Sequence, residues 1–103
     1  MNTYVTLYRF TEQGVQNIQG LPKRMEKIRE QFKAAGAEVK QFYALMGQYD
    51  TMIVAEAPNE EVIMKLNMMI DSMGNVTSQT MRAFNEAEFK KMLMDMPQMA
   101  KAA

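Results

Sequence analysis

Between Tyr4 and Phe84 the apolar residues switch from every second position to every third or fourth and back, in an order that few folds can satisfy. Tyr4-Val5-Thr6-Leu7-Tyr8-Arg9-Phe10 alternates, with Val5 and Leu7 on one side and Tyr4, Thr6, Tyr8 and Phe10 on the other. It reads as a strand carrying large side chains on both faces. Thr11 is placed to cap a short helical segment over 12–18, with Glu12 where the helix dipole favours an acid, and Gly20-Leu21-Pro22 interrupts it. Pro22 suits the first turn of the next helix. There Leu21, Met25, Ile28, Phe32 and Ala35 form one stripe, while Lys23, Glu26, Lys27, Glu30 and Lys33 lie mainly outside it. Gly36 is positioned to end this helix in a left-handed conformation.

Alternation resumes over 39–46, with Val39, Tyr43 and Leu45 near one face and Phe42, Ala44 and Met46 on the other. Gly47-Gln48-Tyr49-Asp50 forms a turn into Met52-Ile53-Val54-Ala55, so the pair reads as an antiparallel hairpin. Pro58, Asn59, Glu60 and Glu61 carry the start signals of a helix running to about Met73, with Val62, Leu66, Met69, Ile70 and Met73 as its buried stripe. Gly74-Asn75 stops it, and 76–84 is a more polar strand. Asn85 caps a last helix from Glu86 to about Asp95, with the stripe Phe89, Met92, Leu93 and Met96, and Pro97 ends or bends it.

Strand, helix, strand, strand, helix, strand is the split βαβ arrangement. The expected fold class is therefore α+β: ferredoxin-like βαββαβ with a four-stranded antiparallel sheet and a C-terminal helix. A chain of 103 residues holds one core, so residues 1–96 are expected to form a single domain and 97–103 a frayed tail. Two helices cover one face of such a sheet. The other face would present some mixture of Tyr8, Phe10, Phe42, Met46 and Met52, which is too apolar for water. A twofold copy packed face to face is the commonest remedy, so the chain itself is the expected partner, as a homodimer or a higher oligomer.

Composition narrows the chemistry. Twelve Lys and Arg balance twelve Asp and Glu, leaving no electrostatic footprint for nucleic acid or an anionic membrane. No run approaches the ~20 apolar residues that span a bilayer. The N-terminus enters the first strand without a secretory pattern, so the expected location is cytoplasmic. Without Cys or His there is no thiolate, no His base, and no Cys or His metal or haem ligand, and the acids show no clustered metal-ligand spacing. No metal and no cofactor are expected. The thirteen Met fall mostly at helical core spacing, where Met fills gaps, although they also suit an adaptable interface or an apolar ligand.

What remains for chemistry is carboxylate, Tyr, Arg and hydroxyl. Asp50 and Tyr43 are the catalytic candidates, as a carboxylate base and a donor to a carbonyl or phenolate. Tyr49, Arg82, Arg9 and Tyr8 are the ligand-binding candidates, with Arg82 as an anion holder. Each has a structural alternative. Tyr49-Asp50 can simply shape the hairpin, Arg82 can pair with a carboxylate such as Glu56, and Arg9 can tie the strand end to the helix start.

At Arg9-Phe10-Thr11-Glu12-Gln13-Gly14, Tyr43-Ala44-Leu45-Met46-Gly47-Gln48-Tyr49-Asp50, Glu56-Ala57-Pro58, Gly74-Asn75-Val76 and Thr80-Met81-Arg82-Ala83-Phe84 the chain resembles the GYD-domain family, over roughly residues 4–89. It carries Gln48 between Gly47 and Tyr49, a spacing the family commonly shows. The resemblance implies the dimeric α/β-barrel superfamily, in which two ferredoxin-like sheets face each other around a barrel interior. That superfamily hosts cofactor-free monooxygenases, haem-degrading enzymes, dehalogenase-like and muconolactone-isomerase-like proteins, and ligand sensors. The missing His argues against carrying over haem binding or a His base. Two functions stand side by side. One is a homo-oligomeric barrel that binds a small, mostly apolar ligand or serves an assembly role. The other is a cofactor-free monooxygenase- or isomerase-like enzyme acting on a small aromatic or carbonyl compound.

Overall fold

The structure, a computed structural model, describes residues 1–99. Its elements are β1 (Asn2–Phe10), α1 (Glu12–Gln16), a 3-10 turn at Ile18–Gly20, α2 (Leu21–Ala34), β2 (Glu38–Ala44), β3 (Thr51–Ala57), α3 (Glu60–Ser72), β4 (Val76–Ala83) and α4 (Glu86–Met94). The strands make one antiparallel sheet in the order β2-β3-β1-β4. β1 and β2 both run against β3, so they are parallel to each other and need the α2 crossover; β3 and β4 are related in the same way through α3. The arrangement is the ferredoxin-like βαββαβ expected from the sequence.

Both helices lie on one face of the sheet. Tyr4 and Tyr8 of β1, Val39 of β2 and Ile53, Ala55 and Ala57 of β3 are buried against Met25, Ile28 and Phe32 of α2 and Ile63, Leu66 and Ile70 of α3. The α2 stripe matches its sequence reading except at its last member, since Ala35 becomes the exposed C-cap. Gly36 has φ of 78° and turns the chain towards β2. On α3 the buried stripe is rotated by about one residue from the expected one: Ile63, Leu66, Asn67 and Ile70 face the sheet, while Met73 stands 43% exposed. A polar Asn on the buried stripe concealed that rotation.

β2 contains a register shift between Val39, opposite Ala55, and Gln41, opposite Val54. A bulged residue lets Val39 and Phe42, three positions apart, face the same side. Strict alternation had placed them on opposite faces. α4 carries a full capping box, with the Asn85 side chain accepting from Glu88 N–H and the Glu88 side chain accepting from Asn85 N–H. It nevertheless buries none of its residues. Pro97–Met99 belong to no regular element, and the rest of the expected frayed tail lies outside the described residues.

Candidate functional site

The face of the sheet away from the helices is built from the alternate positions of every strand. Val5 and Leu7 of β1 stand beside Met52 and Val54 of β3, with Met81 of β4 opposite Val5 and Tyr43 of β2 opposite Met52. Met81 is 40% and Tyr43 45% exposed. These side chains form one apolar field bordered by Glu38, Glu56, Gln41 and Gln79. Its membership corrects the sequence reading. Only Met52 of the expected set lies on it, because Tyr8, Phe10 and Phe42 point under the helices and Met46 is 99% exposed in the hairpin loop. Alternation sorts the residues of a strand into two sets but does not say which set the helices cover.

At one end of this field the hairpin folds back on β1. Asp50 Oδ2 accepts from Phe10 N–H at 2.8 Å, and Asp50 N–H donates to the Tyr8 carbonyl at 2.9 Å. One Asp50 oxygen therefore closes the end of the ladder, where a carboxylate replaces the missing backbone acceptor. Arg9 Nε donates to the Gln48 carbonyl at 3.1 Å while its guanidinium lies 5.3 Å from the Tyr49 ring centroid. Tyr49 Oη donates to Gln79 Oε1 at 2.7 Å, so the ring spans the sheet from the hairpin to β4. The structure thus brings together Arg9, Tyr49 and Asp50 at one end of the apolar face, with Tyr43 on the same face in β2, beyond β3.

Tyr8 and Arg82 are on the opposite face. Arg82 donates to the carbonyls of Thr3 and Ala83, pairs with Glu88 at 3.7 Å and lies over the Phe84 and Tyr4 rings. Its carboxylate partner is Glu88 of α4 rather than Glu56, which points to the apolar field from β3. It is separated by the sheet from Asp50 and Tyr43. Tyr8 is 3% exposed and donates from Oη to Asn67 Oδ1 at 2.5 Å. Asn67 Nδ2 in turn donates to Thr6 Oγ1 at 3.2 Å and to Thr80 Oγ1 at 3.0 Å. One amide thereby satisfies hydroxyls from both β1 and β4. Asn67 was not among the sequence candidates; a lone Asn between Leu66 and Ile70 on an apolar stripe is the signal that could have found it.

Burial pushes the Tyr8 phenol well above its ordinary range, with the neighbouring Thr6 hydroxyl opposing it and the nearby Asp71 carboxylate acting in the same direction as burial. The folded state therefore favours the neutral phenol. Stability from this group is complete below the unfolded value of about 10 and is lost as pH rises above it, with a slope approaching 1.4 kcal/mol per pH unit. Urea unfolding at pH 9, 10 and 11 should show an alkaline loss that Tyr8→Phe reduces; equal losses in both proteins would remove Tyr8 as its source.

Two of the sequence motifs meet at the other turn. The Thr11 hydroxyl donates to the Gly74 carbonyl at 2.6 Å and accepts from Gly14 N–H, while Thr11 N–H donates to the Asn75 carbonyl at 3.0 Å. Asn75 Oδ1 accepts from Gln13 and Asn17. Segment 11–17 is thus fastened to the start of β4 by hydrogen bonds. Among the described residues there is no group of three His, Cys, Asp or Glu able to hold a metal, and no helix is long and apolar enough to cross a membrane. The apolar cavity inside the core, lined by Tyr8, Phe10, Met25 and Phe42, has a volume of about 30 Å³, near the size of one water and too small for an organic guest. A groove of about 370 Å³ runs between α3 and the edge strand β4, past Ile63, Met64, Asn67 and Met68.

Known proteins agree with this architecture. The chain is 26% identical over 89 residues to the glutamine synthetase and cystathionine beta-lyase binding protein of Thermus thermophilus, spanning 85% of this chain and 94% of that one. Among solved structures it is similar in fold to FFRP-DM1, with a TM-score of 0.56 and 23% identity over 82% of this chain and 100% of the other. It is similarly related to TTHA0845 from Thermus thermophilus, with a TM-score of 0.53 and 21% identity over 82% of this chain and 95% of that one. The GYD-domain model matches residues 4–93, taking in the sheet, the helices that cover it and most of α4. The chain belongs to the GYD-domain family.

Proposed function

We propose that this chain is a binding module that pairs with itself through the open sheet face and acts by holding other proteins, without turnover of its own. The apolar field of Val5, Leu7, Met52, Val54 and Met81 carries this reading. Such a field is costly to leave in water, and its position on a regular sheet suits a twofold copy laid face to face, as in sheet-on-sheet packing. The candidate residues support binding over turnover. Asp50 is engaged in closing the ladder and Arg82 is stacked on the far side of the sheet, so the candidate base is already occupied and the candidate anion holder lies apart from it. The Thermus relative, described as a binding protein for two metabolic enzymes, supports enzymes as the partner class.

Light scattering at micromolar concentration should read an even multiple of the 11.8 kDa chain, and Leu7→Arg with Val54→Arg should lower it. Both positions are only half-buried in the single chain, so the fold itself tolerates the change. A single-chain mass for the unsubstituted protein would sink the pairing. The partner class is checked separately by titrating glutamine synthetase from the same host; the absence of any shift in its sedimentation would remove that enzyme as a partner.

A second reading is favoured by the polar cluster at the end of the field. Arg9, Tyr49 and Gln79 would meet the polar end of a small, mostly apolar ligand enclosed between two facing sheets. Native mass spectrometry of protein from its own host should then show extra mass on the assembly, whereas a bare assembly speaks for protein binding alone.

A further inference from the structure

The open sheet face leaves one large apolar surface unexplained, and it lies on the other side of the molecule. α4 is a well-capped helix whose stripe consists of Phe89, 55% exposed, Met92, 43%, Leu93, 52%, and Met96 just beyond it, 62%. A short amphipathic helix in water gains little from its own hydrogen bonds and is ordinarily held by the surface its apolar face covers. This chain does not provide that surface to its own α4. Phe84 and Asn85 are the only residues between β4 and α4, and Arg82 fixes the exit by pairing with Glu88 while lying 4.3 Å from the Phe84 ring centroid.

The same clamp decides which side of the sheet α4 serves. Arg82 sits opposite the buried Tyr4, so its side chain is on the helix-covered face, and Glu88 is held there with it. α4 is consequently rooted beside the α3–β4 groove and not beside the open face. That groove has the matching chemistry. Ile63, Met64 and Met68 give it an apolar wall, with Met64 64% and Met68 60% exposed, and Glu60 stands at its mouth. Lys91 of α4 and Glu60 are both without an ion-pair partner among the described residues, and their charges are complementary.

We propose that α4 docks in the α3–β4 groove of a second copy of this chain, by a twofold exchange in which each copy gives one helix and receives one. Helix and groove are neighbours on one chain, so a single twofold axis satisfies both at once and closes the contact. The docking is of the helix-in-groove kind, with Phe89, Met92 and Leu93 as anchors and Met64 and Met68 as the adaptable wall. It is independent of the open-face pairing. If both operate, the assembly is larger than a dimer.

The chain contains no cysteine, which makes disulfide trapping unambiguous. Met64→Cys/Leu93→Cys, oxidised mildly and run under denaturing, non-reducing conditions, should give a covalent dimer and nothing larger. A mixture of the two single variants should give the mixed dimer. A ladder of higher species would mean head-to-tail contact, and a cross-linked single chain would mean that α4 folds onto its own groove; either result overturns the exchange. As a second measurement, a chain ending at Asn85 should keep its fold, since no residue of α4 is buried, and should have an assembly mass at most half that of the full chain. An unchanged mass would overturn the proposal. Leu7→Arg, which acts on the open face, should leave the Met64–Leu93 disulfide intact, so loss of the open-face pairing and loss of the helix exchange are read separately.

Discussion

Replacing Phe32 with alanine should lower the unfolding free energy by about 3–5 kcal/mol, the range for removing a fully buried aromatic side chain without filling the space. Phe32 is 0% exposed in the last turn of α2. Ala37 N–H and Ala35 N–H donate to its carbonyl as the chain turns out of the helix, so the backbone around it has little freedom to collapse into the hole. For a domain of this size the loss is a large part of total stability. Urea denaturation followed by circular dichroism gives the number directly. A cost below about 1 kcal/mol would mean that the α2 stripe is wrongly assigned to the core.

The second large effect comes from a much smaller change. A methyl group at Gly14 would stand 1.9 Å from the Asn75 carbonyl oxygen and 2.9 Å from its carbon. Both contacts are with backbone, so no side-chain rotation relieves them. Gly14→Ala must move α1 away from the start of β4, stretching the hydrogen bond from Thr11 N–H to Asn75 and that from the Thr11 hydroxyl to Gly74. The expected cost is about 1–3 kcal/mol or more, the range for forcing extra volume into a close-packed site. Thr11→Val, which removes the hydroxyl but adds no clash, should cost about 1 kcal/mol. If Gly14→Ala proves no worse than Thr11→Val in the same denaturation series, the close approach of the two segments is not what holds this corner.

These two sites show where sequence reasoning is strong and where it ends. Phe32 was legible as core because a stripe at three- and four-residue steps can be buried only on one side of a helix. Gly14 was legible only as part of a motif, since its reason lies in Asn75, sixty-one positions later in the chain. The candidate site divides in the same way. Tyr49 and Asp50 share one hairpin turn and are legible there together, whereas Arg9, which the sequence ties only to the start of the next helix, reaches them through the pairing of β1 with β3. Arg82 was grouped with them by chemical type, but strand register puts it opposite Tyr4 and behind the sheet. Asn67, which joins Tyr8, Thr6 and Thr80, was passed over because its polarity hides its position on a buried stripe.

The sequence by itself determined the order of strands and helices, their caps, the Gly36 stop and the amphipathic character of α4. All of these depend on residues close together in the chain, through dihedral preference, side-chain hydrogen bonds to nearby backbone and the period of apolar side chains. Only the tertiary structure decided which face of the sheet the helices cover, and so whether Tyr8 and Phe42 or Leu7 and Val54 meet solvent. Crossovers between parallel strands are right-handed as a rule, and that sense is a property of the path through space that no single strand encodes. The bulge in β2 and the one-residue rotation of α3 are settled by the same packing, because a core at close-packed density admits only one fit of each element against its neighbours.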